Sequence, residues 1–138
     1  MSRRIITTRY QSLKGEEIPP DSYLDRIIKY IPADIVGGWI AITGLINSSE
    51  QNVRTDILLW IGFVAGIVLT ALWTLKQTSL SNKKLAITQT LVSTISFAVW
   101  VFALGGPFVN LEFYRPLYGS LLLIFYNLSI GLIIPKEN

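Results

Sequence analysis

Neither cysteine nor histidine occurs in this sequence. Their absence removes disulfides, thiolate nucleophiles, Cys/His zinc sites and histidine-ligated haem. The Ser-His-Asp and Cys-His forms of nucleophilic catalysis go with them. Charge is also scarce: 15% of the 138 residues are charged, against about 25% in an ordinary soluble domain. The net charge is +3, from 12 basic and 9 acidic side chains. That excess is too small to suggest a nucleic-acid partner. There is no Gly-rich phosphate loop ending in Lys-Ser or Lys-Thr. The close acid pairs, Glu16 with Glu17 and Asp21 with Asp25, lie in a polar segment with no third ligand nearby. They read as solvated or capping groups rather than metal ligands. No catalytic residue, metal site or cofactor is expected, and the chain reads as a non-enzyme.

Apolar sequence fills the gap. Hydrophobic residues make up 51% of the chain. They collect in stretches without any ionisable group: 35–49, 57–75, 85–111 and 116–135. A hydrocarbon core of about 30 Å needs about 20 helical residues to cross it. The pattern predicts an all-α membrane protein with four transmembrane helices, near 32–48, 56–75, 85–104 and 116–134. A soluble bundle would show a polar stripe on every helix. The run Ile57-Leu58-Leu59-Trp60-Ile61-Gly62-Phe63-Val64 has none.

Two segments precede the first span. Residues 1–20 read as a polar cytoplasmic tail, and 21–138 as a single transmembrane domain. In the tail, Ile5 to Leu13 can add a strand to a partner's sheet or stay disordered until bound. Arg3-Arg4 resembles the opening of a twin-arginine signal, but no apolar core follows, so the tail is expected to remain in the mature chain. Residues 22–31 predict a short amphipathic helix. Asp21 or Ser22 can cap it, Asp25 sits in its first turn, and Tyr23, Leu24, Ile27, Ile28 and Ile31 share a face. Such a helix lies flat at the membrane interface; the alternative is that it extends span one.

Basic residues set the expected topology. Ten of them, Arg3, Arg4, Arg9, Lys14, Arg26, Lys29, Lys76, Lys83, Lys84 and Lys136, fall on one side of a four-span arrangement. Only Arg54 and Arg115 fall on the other. Lys and Arg are enriched in cytoplasmic loops, so both termini are expected inside, in a bacterial inner membrane.

Within the spans, three groups of residues are candidate functional positions. Small residues let helices approach closely in lipid. Ala33, Gly37, Ala41 and Gly44 form one such stripe, and Gly62 and Gly66 another. They are expected to pack spans one and two together, with contact to another copy or subunit as the alternative. Span three carries a polar face of Gln89, Ser93 and Ser96, widened by Thr88, Thr90 and Thr94. Asn127 in span four lies at about the depth of Ser93 and is expected to bond to Ser93 or Gln89; the alternative is a pore lining built from several copies. Asp34 follows Pro32 at the start of span one. Small multidrug transporters carry an essential acid in their first span, which makes Asp34 a candidate ion or proton site. It stands at the span's end rather than its middle, so the expected role is to meet free backbone N–H groups. Trp60 and Trp100 lie near one interface and Trp73 near the other, as an aromatic belt does. Trp39 sits deeper and is expected to pack against protein.

These readings rank three functions. The first is a non-catalytic scaffold or anchor subunit in the lipid bilayer, with a protein partner bound through residues 1–31. The second is a self-associating, holin-like pore, a homo-oligomer. The third is a small-solute transporter using Asp34.

Overall fold

The computed structural model describes residues 3–8, 10–11, 15, 17–49, 54–81 and 83–136. Two short strands, β1 (Tyr10–Gln11) and β2 (Glu17–Ile18), pair antiparallel. Everything else regular is helical: α1 (Tyr23–Tyr30), α2 (Ala33–Asn47), α3 (Thr55–Thr78), α4 (Ile87–Leu104), a 3-10 turn (Gly106–Asn110) and α5 (Pro116–Ile130).

Local chemistry explains the boundaries. Ser22 accepts from the Asp25 backbone N–H while Asp25 accepts from the Ser22 N–H, a capping box that starts α1. Pro32 has no N–H to donate and separates α1 from α2. The two helices meet at a bend of 40°. Gly105 ends α4 at φ +101°, a conformation side chains with a Cβ rarely adopt. Pro116 opens α5 at a position where its missing N–H costs nothing. α3 and α4 begin after Arg54 and Ala86 without a side-chain cap.

α2 packs on α3, α3 on α4 and α4 on α5, while α1 lies against α4 and α5. The core has two parts. One joins Val36, Trp39, Leu59, Phe97 and Val101 and is rich in edge-on ring contacts, such as Trp39 with Phe97 at 6.0 Å. The other joins Ile5, Tyr30, Val92 and Ile130 at the end of the bundle where both termini lie. Gly66 lies directly under the Phe97 ring, and at Gly119 a Cβ would stand 2.8 Å from the Ala103 Cα.

α3 and α4 are long and apolar enough to cross a membrane, and the bent pair of α1 and α2 makes a third candidate. Outward-facing apolar side chains such as Val68, Leu72, Leu121 and Phe125 surround the bundle. The protein is therefore an all-helical membrane protein. α5 is apolar but only 15 residues long, about 22 Å at 1.5 Å per residue. It stops at Ile130 rather than continuing to 134, because the chain turns at Gly131 and Leu132. The face of α1 also differs from expectation. Tyr30 is buried with Ile27 and Ile31 around it, whereas Leu24 and Ile28 point outward, 66% and 70% exposed. Tyrosines at positions 23 and 30 turn inward because each hydroxyl finds a carbonyl beyond the end of α5 or in its last turn.

Candidate functional site at the terminal end of the bundle

Residues 3–6, in neither helix nor strand, lie at the end of the bundle against α1, α3 and α4. The Arg3 guanidinium donates from all three nitrogens. Its Nε bonds to the Lys29 carbonyl at 2.8 Å. Its Nη1 reaches Thr74 Oγ1 and Gln77 Oε1, and its Nη2 reaches the Tyr30 carbonyl and Ser93 Oγ. These five bonds match the five N–H donors that a guanidinium carries. Among the described residues no carboxylate touches it. Burial lowers the Arg3 pKa, and the negative charge of Asp34 opposes that shift.

Gln89 secures the backbone of the same segment. Its Oε1 accepts from the Ile5 N–H at 2.9 Å, and its Nε2 donates to the Arg3 and Lys29 carbonyls. Ser93 accepts from Arg3 and donates to the Tyr30 carbonyl. The Ile5 side chain is 1% exposed in the core beside Tyr30 and Val92. Asp21 closes the outer side: its Oδ2 accepts from the Ile6 N–H and pairs with Lys29 Nζ at 2.7 Å, and its own N–H donates to the Ile6 carbonyl. Lys29 also donates to the Arg4 carbonyl.

Helix ends supply the negative side of this site. The last carbonyls of a helix have no intrahelical partner and carry partial negative charge. Arg3 sits on the last turn of α1, and buried Arg4 donates to the Thr78 carbonyl at the end of α3. Arg26 donates to the Gly131 carbonyl just after α5. Tyr23 and Tyr30 bond the Leu128 and Ile133 carbonyls in the same region. Thr70, Thr74 and Thr78, one turn apart on α3, are wholly buried. Thr70 and Thr78 return their hydroxyl protons to their own helix.

The residues expected from sequence are partly brought together. Gln89 and Ser93 join one network, with the chain's own N-terminal segment as their partner. Ser96 bonds to the Val92 carbonyl and the Tyr126 hydroxyl. Asn127 reaches neither Ser93 nor Gln89: its buried Oδ1 has no partner among the described residues. Arg3 and the end of α1 occupy the hydroxyl and amide it was expected to meet. The two small-residue sets also separate. Gly62 and Gly66 pack against Trp39 and Phe97, whereas Gly37 and Gly44 have open space where a Cβ would stand, and Ala33 and Ala41 are exposed. The stripe on α2 thus faces away from α3, because α2 packs through Val36 and Trp39 on its other side. Asp34 is exposed, accepts from the Trp73 indole N–H and meets its helix through the Ile35 N–H. Trp39 is 4% exposed and packs against protein.

Arg3, Arg4 and the threonine row were not singled out from sequence as a site. The available signal was the threonine spacing of four on α3 beside the polar face of α4, both near the end that carries adjacent arginines. Chemically the arrangement holds a peptide segment; among the described residues no group of acids stands ready for a metal ion. Compared with protein-family models, curated proteins and solved structures, the chain matches none of them.

Proposed function

We propose that the chain is a non-catalytic scaffold or anchor subunit that crosses a bacterial inner membrane four times, with both termini in the cytoplasm, and fixes a larger assembly to the bilayer. The observation behind this reading is the fate of the polar groups inside the bundle. Gln89, Ser93 and Ser96 are at most 1% exposed and bonded within the protomer. A conduction path needs polar groups facing water, and proton or ion relays need ionisable ones. These side chains instead lock helices and the N-terminal segment together, as suits a rigid body carrying something else. The ten-to-two division of basic residues supports the orientation. At about 22 Å each, α2 and α5 are short for a span, and local thinning of the bilayer accommodates that.

With residues 3–6 held by the bundle, the surface left for a partner is the β1–β2 hairpin and the outward Leu24 and Ile28 of α1. The open small-residue face of α2 favours a second helix in the membrane plane, so a homo-oligomer is compatible. The test is native mass spectrometry after mild detergent extraction. The intact chain is expected to carry a partner that is lost when residues 8–18 become a Gly-Ser linker, with 3–6 kept. A lone monomer from the intact chain overturns the scaffold reading, and conductance in liposomes would replace it with the pore.

A further inference from the structure

The basic side chains at the terminal end fall into two sets. Arg3, Arg4, Arg26 and Lys29 direct their donors to the chain's own carbonyls or to Asp21. Lys76, in the last turn of α3, and Lys83 and Lys84, just before α4, do not. All three are exposed, and their ammonium groups have no hydrogen bond or ion pair among the described residues. Lys76 instead lies over the Trp73 ring, 5.8 Å from its centroid. Two turns tighten the connection from α3 to α4: the Ser79 N–H donates to the Lys76 carbonyl, and the Lys83 N–H to the Leu80 carbonyl. The two helices pack side by side, so the three charges gather at one place on the rim of the bundle. Leu80 and Leu85 stand among them, 42% and 55% exposed. The carboxylate that meets Trp73, Asp34, is engaged by that indole and by the Ile35 N–H.

We propose that Lys76, Lys83 and Lys84 hold the headgroup of an anionic phospholipid, with Leu80 and Leu85 against its acyl chains. Charge complementarity is the first reason: the ammonium groups lie where a helix long enough to cross a membrane ends, and basic groups at that level are attracted to anionic headgroups. Trp73 beneath Lys76 suits the same level, because tryptophans favour the membrane interface. The leucines are the second reason. A soluble phosphate would meet the same charges in water and leave both apolar side chains uncovered. A zwitterionic lipid would cover them but bring no net negative charge. This inference rests on the chain being a membrane protein and not on the scaffold reading.

The full chain in mild detergent is titrated with phosphatidylglycerol and with phosphatidylcholine of the same acyl chains, and read by native mass spectrometry. Phosphatidylglycerol is expected to bind about tenfold more tightly, salt screening having reduced the full attraction of the lysines. Lys76→Gln, Lys83→Gln and Lys84→Gln together should remove that preference. Arg54→Gln with Arg115→Gln, at the opposite end, should leave it intact. The three lysines are exposed, so their variant is expected to fold. If it does not, the unsubstituted chain in phosphatidylcholine nanodiscs, labelled at the indole nitrogens, gives the location. Admixed phosphatidylglycerol should move the Trp73 NMR resonance and leave Trp60, near the start of α3, still. Soluble glycerol phosphate in excess should not displace the lipid. The proposal is overturned by equal binding of the two lipids, by a preference that survives in the glutamine variant, or by a Trp73 resonance that does not move. Displacement by glycerol phosphate overturns it too, and would make the lysines a site for a soluble phosphate.

Discussion

Replacing Arg3 by alanine should release the N-terminal segment from the bundle. Ordering residues 3–6 costs about 1–2 kcal/mol each, hence about 4–8 kcal/mol. Burying Ile5 returns about 2 kcal/mol. Six further hydrogen bonds fix the segment: Ile5 N–H to Gln89, Gln89 to the Arg3 carbonyl, Ile6 N–H to Asp21, Asp21 N–H to the Ile6 carbonyl, Lys29 to the Arg4 carbonyl, and Arg4 to the Thr78 carbonyl. At about 1 kcal/mol each they contribute about 6 kcal/mol. Together these terms roughly cancel the ordering cost. The Arg3 guanidinium, with its charged bonds discounted for desolvation, adds about 3 kcal/mol. It therefore decides whether the segment stays docked. Hydrogen exchange with mass spectrometry on the peptide covering residues 3–8 reads this directly. Arg3→Ala should speed exchange at the Ile5 and Ile6 amides about 100-fold, the equivalent of 3 kcal/mol. Arg3→Lys should fall between, because an ammonium brings three donors without the planar fork that spans α1, α3 and α4. Exchange within threefold of the unsubstituted chain would refute the reasoning and would mean that Ile5 and Asp21 suffice.

Three other outcomes follow from the geometry. A Cβ at Gly66 or Gly119 has nowhere to go, so either alanine substitution should destabilise by about 1–3 kcal/mol in denaturant titration, with Gly119 the less forgiving because its neighbours are backbone. Gly37→Ala and Gly44→Ala meet open space and should leave stability unchanged or raised; a loss there would place the α2 stripe in a contact with another chain. Bonds from the Ser22 backbone and hydroxyl hold the Asp25 carboxyl below its ordinary range. A lowered folded pKa stabilises above the unfolded carboxylate value near ~4 and is lost as pH falls through the folded one. Protection of α1 amides should accordingly decline in that acid window, and Asp25→Asn should flatten the dependence.

The helices were legible because lipid-facing sequence repeats one message over twenty residues, and no polar stripe interrupts Ile57 to Val64. Capping chemistry at Ser22 and Asp25, and the break at Pro32, were legible for the same local reason. What escaped were pairings across long distances. Gln89 and Ser93 were recognised as a polar face, but their partner lies more than eighty residues away, in a segment with no periodic signal. Asn127 was matched to Ser93 by depth alone, and depth does not say which neighbour arrives first. The small residues on α2 and α3 look alike in sequence; only the choice of Val36 and Trp39 as the packing side of α2 separates the open stripe from the closed one.

One electrostatic rule unites the terminal end. α1, α3 and α5 all finish there, so three sets of unpaired carbonyls converge with their partial negative charges. In water such carbonyls are hydrated; buried away from water, each unsatisfied one costs about 1–3 kcal/mol. Arg3, Arg4 and Arg26 each take one of these helix ends, with Tyr23 and Tyr30 completing the last. The basic residues proposed above to bias topology are thus also the donors that close the bundle, and their two roles make opposite demands on substitution. Arg4→Lys keeps the charge count and should keep orientation, while its buried guanidinium contact with the Thr78 carbonyl is lost and the end of α3 frays. Arg9→Ala, at a position outside the described residues, changes the count by the same one charge as Arg4→Ala. If charge alone matters, the two alanine variants should behave alike in a tag-accessibility assay and in exchange at Thr78. If the carbonyls matter, only Arg4→Ala should raise exchange in the last turn of α3.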